Sequence, residues 1–334
     1  MEYLVTTDIS RLPKPPVAMV DGTVPGYVVR EGDLYYDHHR IGGAEIQIDE
    51  IGAGVNNAYQ GIKAIVTTQL DADACVAAAW VQLYGDNISK ENHRKLRAIA
   101  FDCDHLKVPD ELADLADFAA QAVAAMKSEG FKIAEQLGLP EDRKNWTEDQ
   151  KVAYASAGFR QGTEWLIAAV KGDRSYPGEL GEAADYWQQV QSDEQLFIDE
   201  QRITKYKDAL LFNMIGWGGR YVDPRASLRA AKRLGMSAAL TLTQRETKDG
   251  GWSYTIASAQ KNLLTEFNAF YKLTKAEAIK RKVDTAIVNT YWKKAELNAL
   301  IGFDPWGGRE AVGGSGWRSP SLLSPNEVID ALMS

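Results

Sequence analysis

Cysteine is nearly missing from this chain: its 334 residues include two, Cys75 and Cys103, far apart in sequence. Two such residues make neither a disulfide framework nor a zinc knuckle, whose ligands come in closely spaced pairs. A reducing, cytoplasmic setting is therefore expected. Histidine is scarce as well, with four in all. Positive charge is in deficit: 38 Lys and Arg stand against 46 Asp and Glu, a net charge of −8. That balance argues against gripping a long nucleic-acid backbone, although a local basic patch can still hold a short substrate. Apolar runs such as "CVAAAWVQL" are too short to span a bilayer, so no membrane association is expected. The opening "MEYLVTTDISRLPKPP" shows neither the basic nor the apolar region of a signal peptide.

What remains is an ordinary globular composition, 45% apolar and 25% charged, in a chain long enough for two domains or one with a cap. "PVAMVDG" reads as a short strand ending at Asp21, and "GYVVREGDLYYDHH" as a hairpin turning at "REGD". "KAIVTTQLDADACVAAAWVQLYG" reads as strand, polar turn and helix; "LRAIAFDCDHL" reads as a further strand ending in acids. From residue 110 the spacing turns helical, with Leu112, Leu115, Ala119, Val123 and Met126 on one face and Gly130 as a stop. Thr147 with Gln150 predicts a capping box, followed by a helix that stops near Gly172 and another over 182–206. Strands return in "DALLFNMIG", "SAALTLTQRE" and "WSYTIAS", and capping boxes are predicted at Thr274 with Glu277 and at Ser324 with Glu327. The expected fold is α/β: an N-terminal domain over 1–109 with a largely parallel sheet, a helical insertion over 110–206, and a smaller C-terminal α/β domain over 207–334.

Acids and histidines gather where strands are expected to end. His38, His39 and His105 each lie within two residues of an aspartate, and only His93 stands apart. Asp71 with Asp73, and Asp102 with Asp104, form D-x-D pairs, while Asp21 and Asp37 close other strands. In open α/β sheets, ligands bind beyond the carboxyl ends of the strands. A D-x-D at such an end can aim two carboxylates at one point; taken singly, it is more often a helix cap or a turn. Carboxylate with imidazole suits a divalent transition metal, and two such ions about 3.5–4 Å apart can clamp a phosphoryl group and ionise a water.

Near the C-terminus, "WGGREAVGGSGWRSP" holds five glycines, Arg309, Arg318 and Ser315. Glycines such as Gly313 and Gly314 let backbone N–H groups approach an anion, and arginine forks onto phosphate oxygens. The same segment can also be an irregular connector, and Trp306 and Trp317 either stack a base or anchor the loop. "GWGGRYVDPR" (216–225) is read as a turn before the helix "ASLRAAKRLG".

At Asp37-His38-His39 the chain resembles the DHH phosphoesterase superfamily, with "LDADACVAAA" similar to its D-x-D motif and the glycine-rich segment similar to the substrate-binding motif of its associated C-terminal domain. The run from "VDG" to "YYDHHRIGG" is similar to the melanocyte-proliferating-gene subgroup. Two features depart from the common pattern: Thr67 stands where a histidine is usual, and the D-x-D follows the triplet. The resemblance implies metal ligands among Asp21, Asp37, His38, Asp71, Asp73, Asp102, Asp104 and His105. It assigns catalytic roles to His38, His39 and Asp73, and substrate binding to Arg309, Gly313, Gly314, Ser315 and Arg318. The implied cofactor is Mn²⁺ or another divalent transition metal, as two ions. The implied reaction is hydrolysis of a small phosphorylated compound, a nucleotide or a short oligonucleotide by metal-activated water, in a protein that can form a homodimer. Two other readings stand beside it. One is a catalytically weakened homologue that binds a nucleotide or phosphometabolite in a regulatory or structural role. The other is an interaction protein built around the helical insertion.

Overall fold

The structure is a computed structural model and describes residues 1–37, 61–85, 88–106, 108–129, 132–173, 180–199, 203–214, 222–244, 251–258, 263–264, 269–292, 294, 296–309, 312–316 and 319–334. The chain divides into two compact units, Met1–Trp187 and Gln188–Ser334. Among the described residues, no helix is long and apolar enough to cross a membrane.

The first unit is built on four strands, β1 (Glu2–Val5), β2 (Val17–Val20), β3 (Leu34–Tyr36) and β4 (Ala64–Thr67), in the order β1-β4-β2-β3. All three pairings are parallel, so every strand ends on the same edge. β2 and β4 are buried at every position, as strands covered on both faces should be. Helices follow: α1 (Ala72–Gly85), α2 (Lys90–His105), α3 (Ala116–Glu129), α4 (Lys132–Gln136), α5 (Glu148–Lys171) and α6 (Leu180–Asp199). The boundary between the units falls within α6. The helices expected as a separate insertion share the sheet's own core: Leu112, Ala119, Phe159 and Leu166 pack in one cluster with Ile65, Trp80 and Ile99.

The expected hairpin at "GYVVREGDLYYD" does not form. The "REGD" turn is present, with Asp33 N donating to Arg30 O at 3.1 Å, but only Leu34–Tyr36 is a strand. The Asp33 carboxylate explains why β3 runs parallel to β2: it accepts from Val17 N at 2.8 Å, pinning the start of β3 beside the start of β2. The chain over 21–33 is thus a crossover, and Val28 within it is 76% exposed.

"LRAIAFDCDHL" is not a strand either but the second half of α2. Ser89 caps that helix by accepting from Asn92 N, and Leu96, Ile99 and Ala100 recur at helical spacing on its buried face. A short apolar run does not by itself distinguish the two periods, and here the cap upstream decides. The helix expected over 182–206 stops at Asp199, and Ile203–Tyr206 is a strand. The predicted capping box on α5 is present, with Gly172 closing the helix at φ 80°.

The second unit carries six strands in the order β5-β6-β7-β8-β10-β9: β5 (Ile203–Tyr206), β6 (Ala209–Asn213), β7 (Ala238–Gln244), β8 (Trp252–Ser258), β9 (Gly307–Arg309) and β10 (Val312–Gly314). Among the described residues of this unit, only β6 and β7 pair in parallel, joined through α7 (Pro224–Arg233), which Asp223 caps. Then come α8 (Tyr271–Lys280), α9 (Thr285–Tyr291), α10 (Leu297–Ile301) and α11 (Pro325–Leu332). The capping box at Ser324 and Glu327 forms as predicted. The one expected at Thr274 and Glu277 does not, because α8 begins at Tyr271 and both residues lie buried inside it. There Thr274 Oγ1 accepts from Trp306 N at 3.0 Å, and Glu277 accepts from Arg281 Nε, Ser321 Oγ and Leu322 N.

Candidate acidic site at the carboxyl edge of the parallel sheet

The strand ends of the first unit place Asp21 and Asp37 on one edge of the sheet. In register, Val20 of β2 sits opposite Tyr36 of β3, and Asp21 N continues the ladder by donating to Tyr36 O at 2.8 Å. Asp21 and Asp37 are therefore the next residues on adjacent strands, whose backbones lie about 4.8 Å apart. Both are buried, at 4% and 2% exposure. A carboxylate buried in this way is costly to leave charged, so it depends on hydrogen bonds, basic partners or a bound cation.

The backbone here is tightly determined. Asp21 has φ 47°, a left-handed conformation that aspartate tolerates better than most residues. Gly22 follows at φ 147°, and a side chain there would overlap Thr68 Oγ1. Thr67 Oγ1 shares its one proton between Asp21 O and Gln69 O, at 3.5 and 3.4 Å, so the turns after β2 and β4 abut. From the β2 turn, Thr23 Oγ1 donates to Asp37 Oδ2 and lies 2.6 Å from Tyr35 Oη.

The D-x-D motif opens α1. Asp71 Oδ1 accepts from Ala74 N at 3.0 Å, so this acid does cap the helix. Asp73 lies in the first turn, where the exposed N–H groups favour negative charge. One turn on, the Cys75 thiol is fully buried and its pKa is driven up, first by desolvation, then by the charge of Asp71, and further by those of Asp21 and Asp73.

Helix α5 holds this corner in place. Gly158 lets it approach Leu70, just ahead of Asp71, and a Cβ there would lie 2.6 Å from Leu70 Cδ2. Cys75 Sγ lies 3.8 Å from Phe159 O, Ser156 Oγ accepts from Val5 N at 3.0 Å, and the Phe159 ring meets Tyr3 edge-on at 5.4 Å. Sequence reasoning missed Thr23, Tyr35, Ser156 and Gly158. Gly158 did leave a signal, since a glycine inside a helical pattern marks close packing. The hydroxyls left none, being ordinary turn, strand and helix-surface residues.

The remaining predicted residues divide as follows. His38 and His39 lie outside the described residues. Asp102 and His105 are buried on the last turns of α2 rather than at a strand end, with the His105 ring 5.3 Å from Phe101; Asp104 is on the same turn. Among the described residues, no three His, Cys, Asp or Glu side chains form a metal-holding group by themselves. As a donor set, the strand-end acids fit a divalent cation by charge and by type, all being hard carboxylate oxygens.

In the second unit the glycine-rich segment is partly a hairpin, not a free loop. Gly313 lies against the Phe270 ring, and Gly314 against the Tyr254 carbonyl, with no room for a side chain at either. Ser315 Oγ accepts from Tyr254 N at 3.0 Å, while Ser315 N donates to Tyr254 O. Trp306 is buried and stacks on Tyr254, so it anchors the core. Arg318 and the Arg309 side chain lie outside the described part. No model of a known protein family matches this chain, and no curated protein matches it.

Proposed function

We propose that this chain is a metal-dependent phosphoesterase of DHH type, whose site is the acidic carboxyl edge of the four-stranded sheet. The observation that carries the reading is that Asp21 and Asp37 follow the paired residues Val20 and Tyr36 on one sheet edge, where Thr67 Oγ1 joins the turn after β2 to the turn after β4 that leads into Asp71 and Asp73 at the start of α1. Asp37 stands next to Asp21 in register, and the DHH triplet begins at Asp37 itself. In this reading Asp21, Asp37, Asp71 and Asp73 would hold a divalent transition metal such as Mn²⁺, and His38 and His39 follow Asp37 in the sequence. When bound, such ions supply positive charge against phosphoryl oxygens and ionise a water at neutral pH. The buried carboxylates of Asp21 and Asp37 and the half-buried ones of Asp71 and Asp73 would hold the cations, with the Asp21-Gly22 turn and α5 fixing the backbone around them. The substrate class is a small phosphorylated compound, a nucleotide or a short oligonucleotide, in keeping with the net charge of −8.

Thr67 favours a second reading. Where the family pattern has a histidine, this hydroxyl is fully buried and donates to backbone carbonyls. In this second reading a metal ligand is lost at that position, leaving a weakened homologue that binds a nucleotide or phosphometabolite without turning it over. Purified protein titrated with Mn²⁺ and supplied with a panel of phosphate mono- and diesters separates the two. Mn²⁺-dependent turnover, abolished in both Asp73→Ala and Asp21→Asn with the fold retained, is expected. Turnover that survives in both variants excludes the metal role, and nucleotide binding without turnover selects the second reading.

A further inference from the structure

The carboxylate of Asp37 is oriented from behind by a chain of hydroxyls. An ionised carboxylate only accepts, so the proton in the Thr23–Asp37 hydrogen bond belongs to Thr23. Thr23 has a single hydroxyl proton, so the 2.6 Å contact between Thr23 Oγ1 and Tyr35 Oη takes its proton from Tyr35. The direction is thus Tyr35 to Thr23 to Asp37 Oδ2. The far end is braced: the Tyr35 ring sits 6.0 Å from that of Tyr27, and the Tyr27 hydroxyl donates to Asp33 at 2.7 Å. Asp33 is itself held by Val17 N, Arg30 N and Arg30 Nε, with its side chain fully buried.

We infer that Thr23 is a positioning residue for Asp37, fixing Oδ2 and with it the orientation of a carboxylate that serves a divalent cation at the sheet edge. The inference rests on the metal-site reading above. Residues that hydrogen-bond a ligating group orient it and sharpen metal affinity, and their loss typically costs about 10- to 100-fold. Thr23 supplies one such bond from a turn, and Tyr35 polarises it.

The test is Mn²⁺ affinity by calorimetry on the full chain, with the melting temperature of metal-free protein measured alongside. Thr23→Val keeps the branched shape and removes the hydroxyl; it should weaken Mn²⁺ binding about 10- to 100-fold. Thr23→Ser restores the hydroxyl and should return affinity to near that of the parent, a rescue that a purely packing role would not show. Should Thr23→Val fail to fold, Thr23→Ala set against Thr23→Ser makes the same comparison. Parent-like affinity in the variant lacking the hydroxyl overturns the assignment of Thr23 alone, as does a loss that Thr23→Ser shares. A parent protein that binds no Mn²⁺ overturns the metal reading, and this inference with it.

Discussion

Asp21 and Gly22 show how much a single turn contributes to this site. Asp21 sits at φ 47° with its carboxylate buried, and Gly22 at φ 147° faces Thr68. Alanine at 22 would meet a backbone cost of about 1–2 kcal/mol for a left-handed conformation. Overlap with Thr68 adds about 1–3 kcal/mol, the usual range for overpacking. Gly22→Ala should therefore destabilise the protein by at least about 2 kcal/mol, seen as a lower urea midpoint at unchanged slope. A midpoint equal to the parent's would mean that the turns after β2 and β4 do not abut. The acids themselves were legible in the sequence, because aspartates after apolar runs stand out. The hydroxyl of Thr23 was not, because its partner lies fourteen positions away.

At the scale of elements, α5 matters more than its place in the chain suggests. It was legible as a helix from its cap and stripe, with Phe159, Leu166 and Val170 buried as the spacing predicts. Its role was not legible, because contact with β1 and α1 joins residues some 80 to 150 positions apart. Gly158→Val places a branched side chain against Leu70. It should destabilise the first unit by about 1–3 kcal/mol. Mn²⁺ affinity should fall with it, because Leu70 precedes Asp71. Stability and affinity both equal to the parent's would show that the helix does not brace the D-x-D corner. The misread element, α2, fails for a different reason: over its last turns a strand and a helix bury much the same apolar residues, and only the cap at Ser89 separates them.

For the molecule as a whole, acid should be destabilising in both units. In the first, burial raises the Asp33 pKa, but hydrogen bonds from Arg30, Tyr27 and Val17 together outweigh it and hold the carboxyl below its usual range. In the second, the Lys280 ammonium, with the backbone and hydroxyl of Ser324, lowers the Glu327 pKa from 4.5 to about 2. A depressed carboxyl contributes stability that is complete above its unfolded pKa and is lost as pH falls through its folded pKa. For Glu327 that window runs from 4.5 down to about 2. Urea unfolding at pH 5 and pH 3 should show the loss, and Glu327→Gln should be less stable at pH 5 yet lose less between the two. An equal drop in parent and variant would remove Glu327 from the acid response.

By itself the sequence determined the α/β class, the buried strands Val17–Val20 and Ala64–Thr67, the two capping boxes that form, and the acids themselves. These follow from periodicity and local hydrogen bonding, which act within a few residues. Only the tertiary structure decided that β3 runs parallel to β2, that the helices after residue 110 complete the first unit's core, and that the C-terminal glycines pack on Phe270 and Tyr254. Each of these depends on a contact between distant positions, such as Asp33 with Val17 or Gly313 with Phe270. Local pattern carries no record of such a contact, because either partner would read the same without the other.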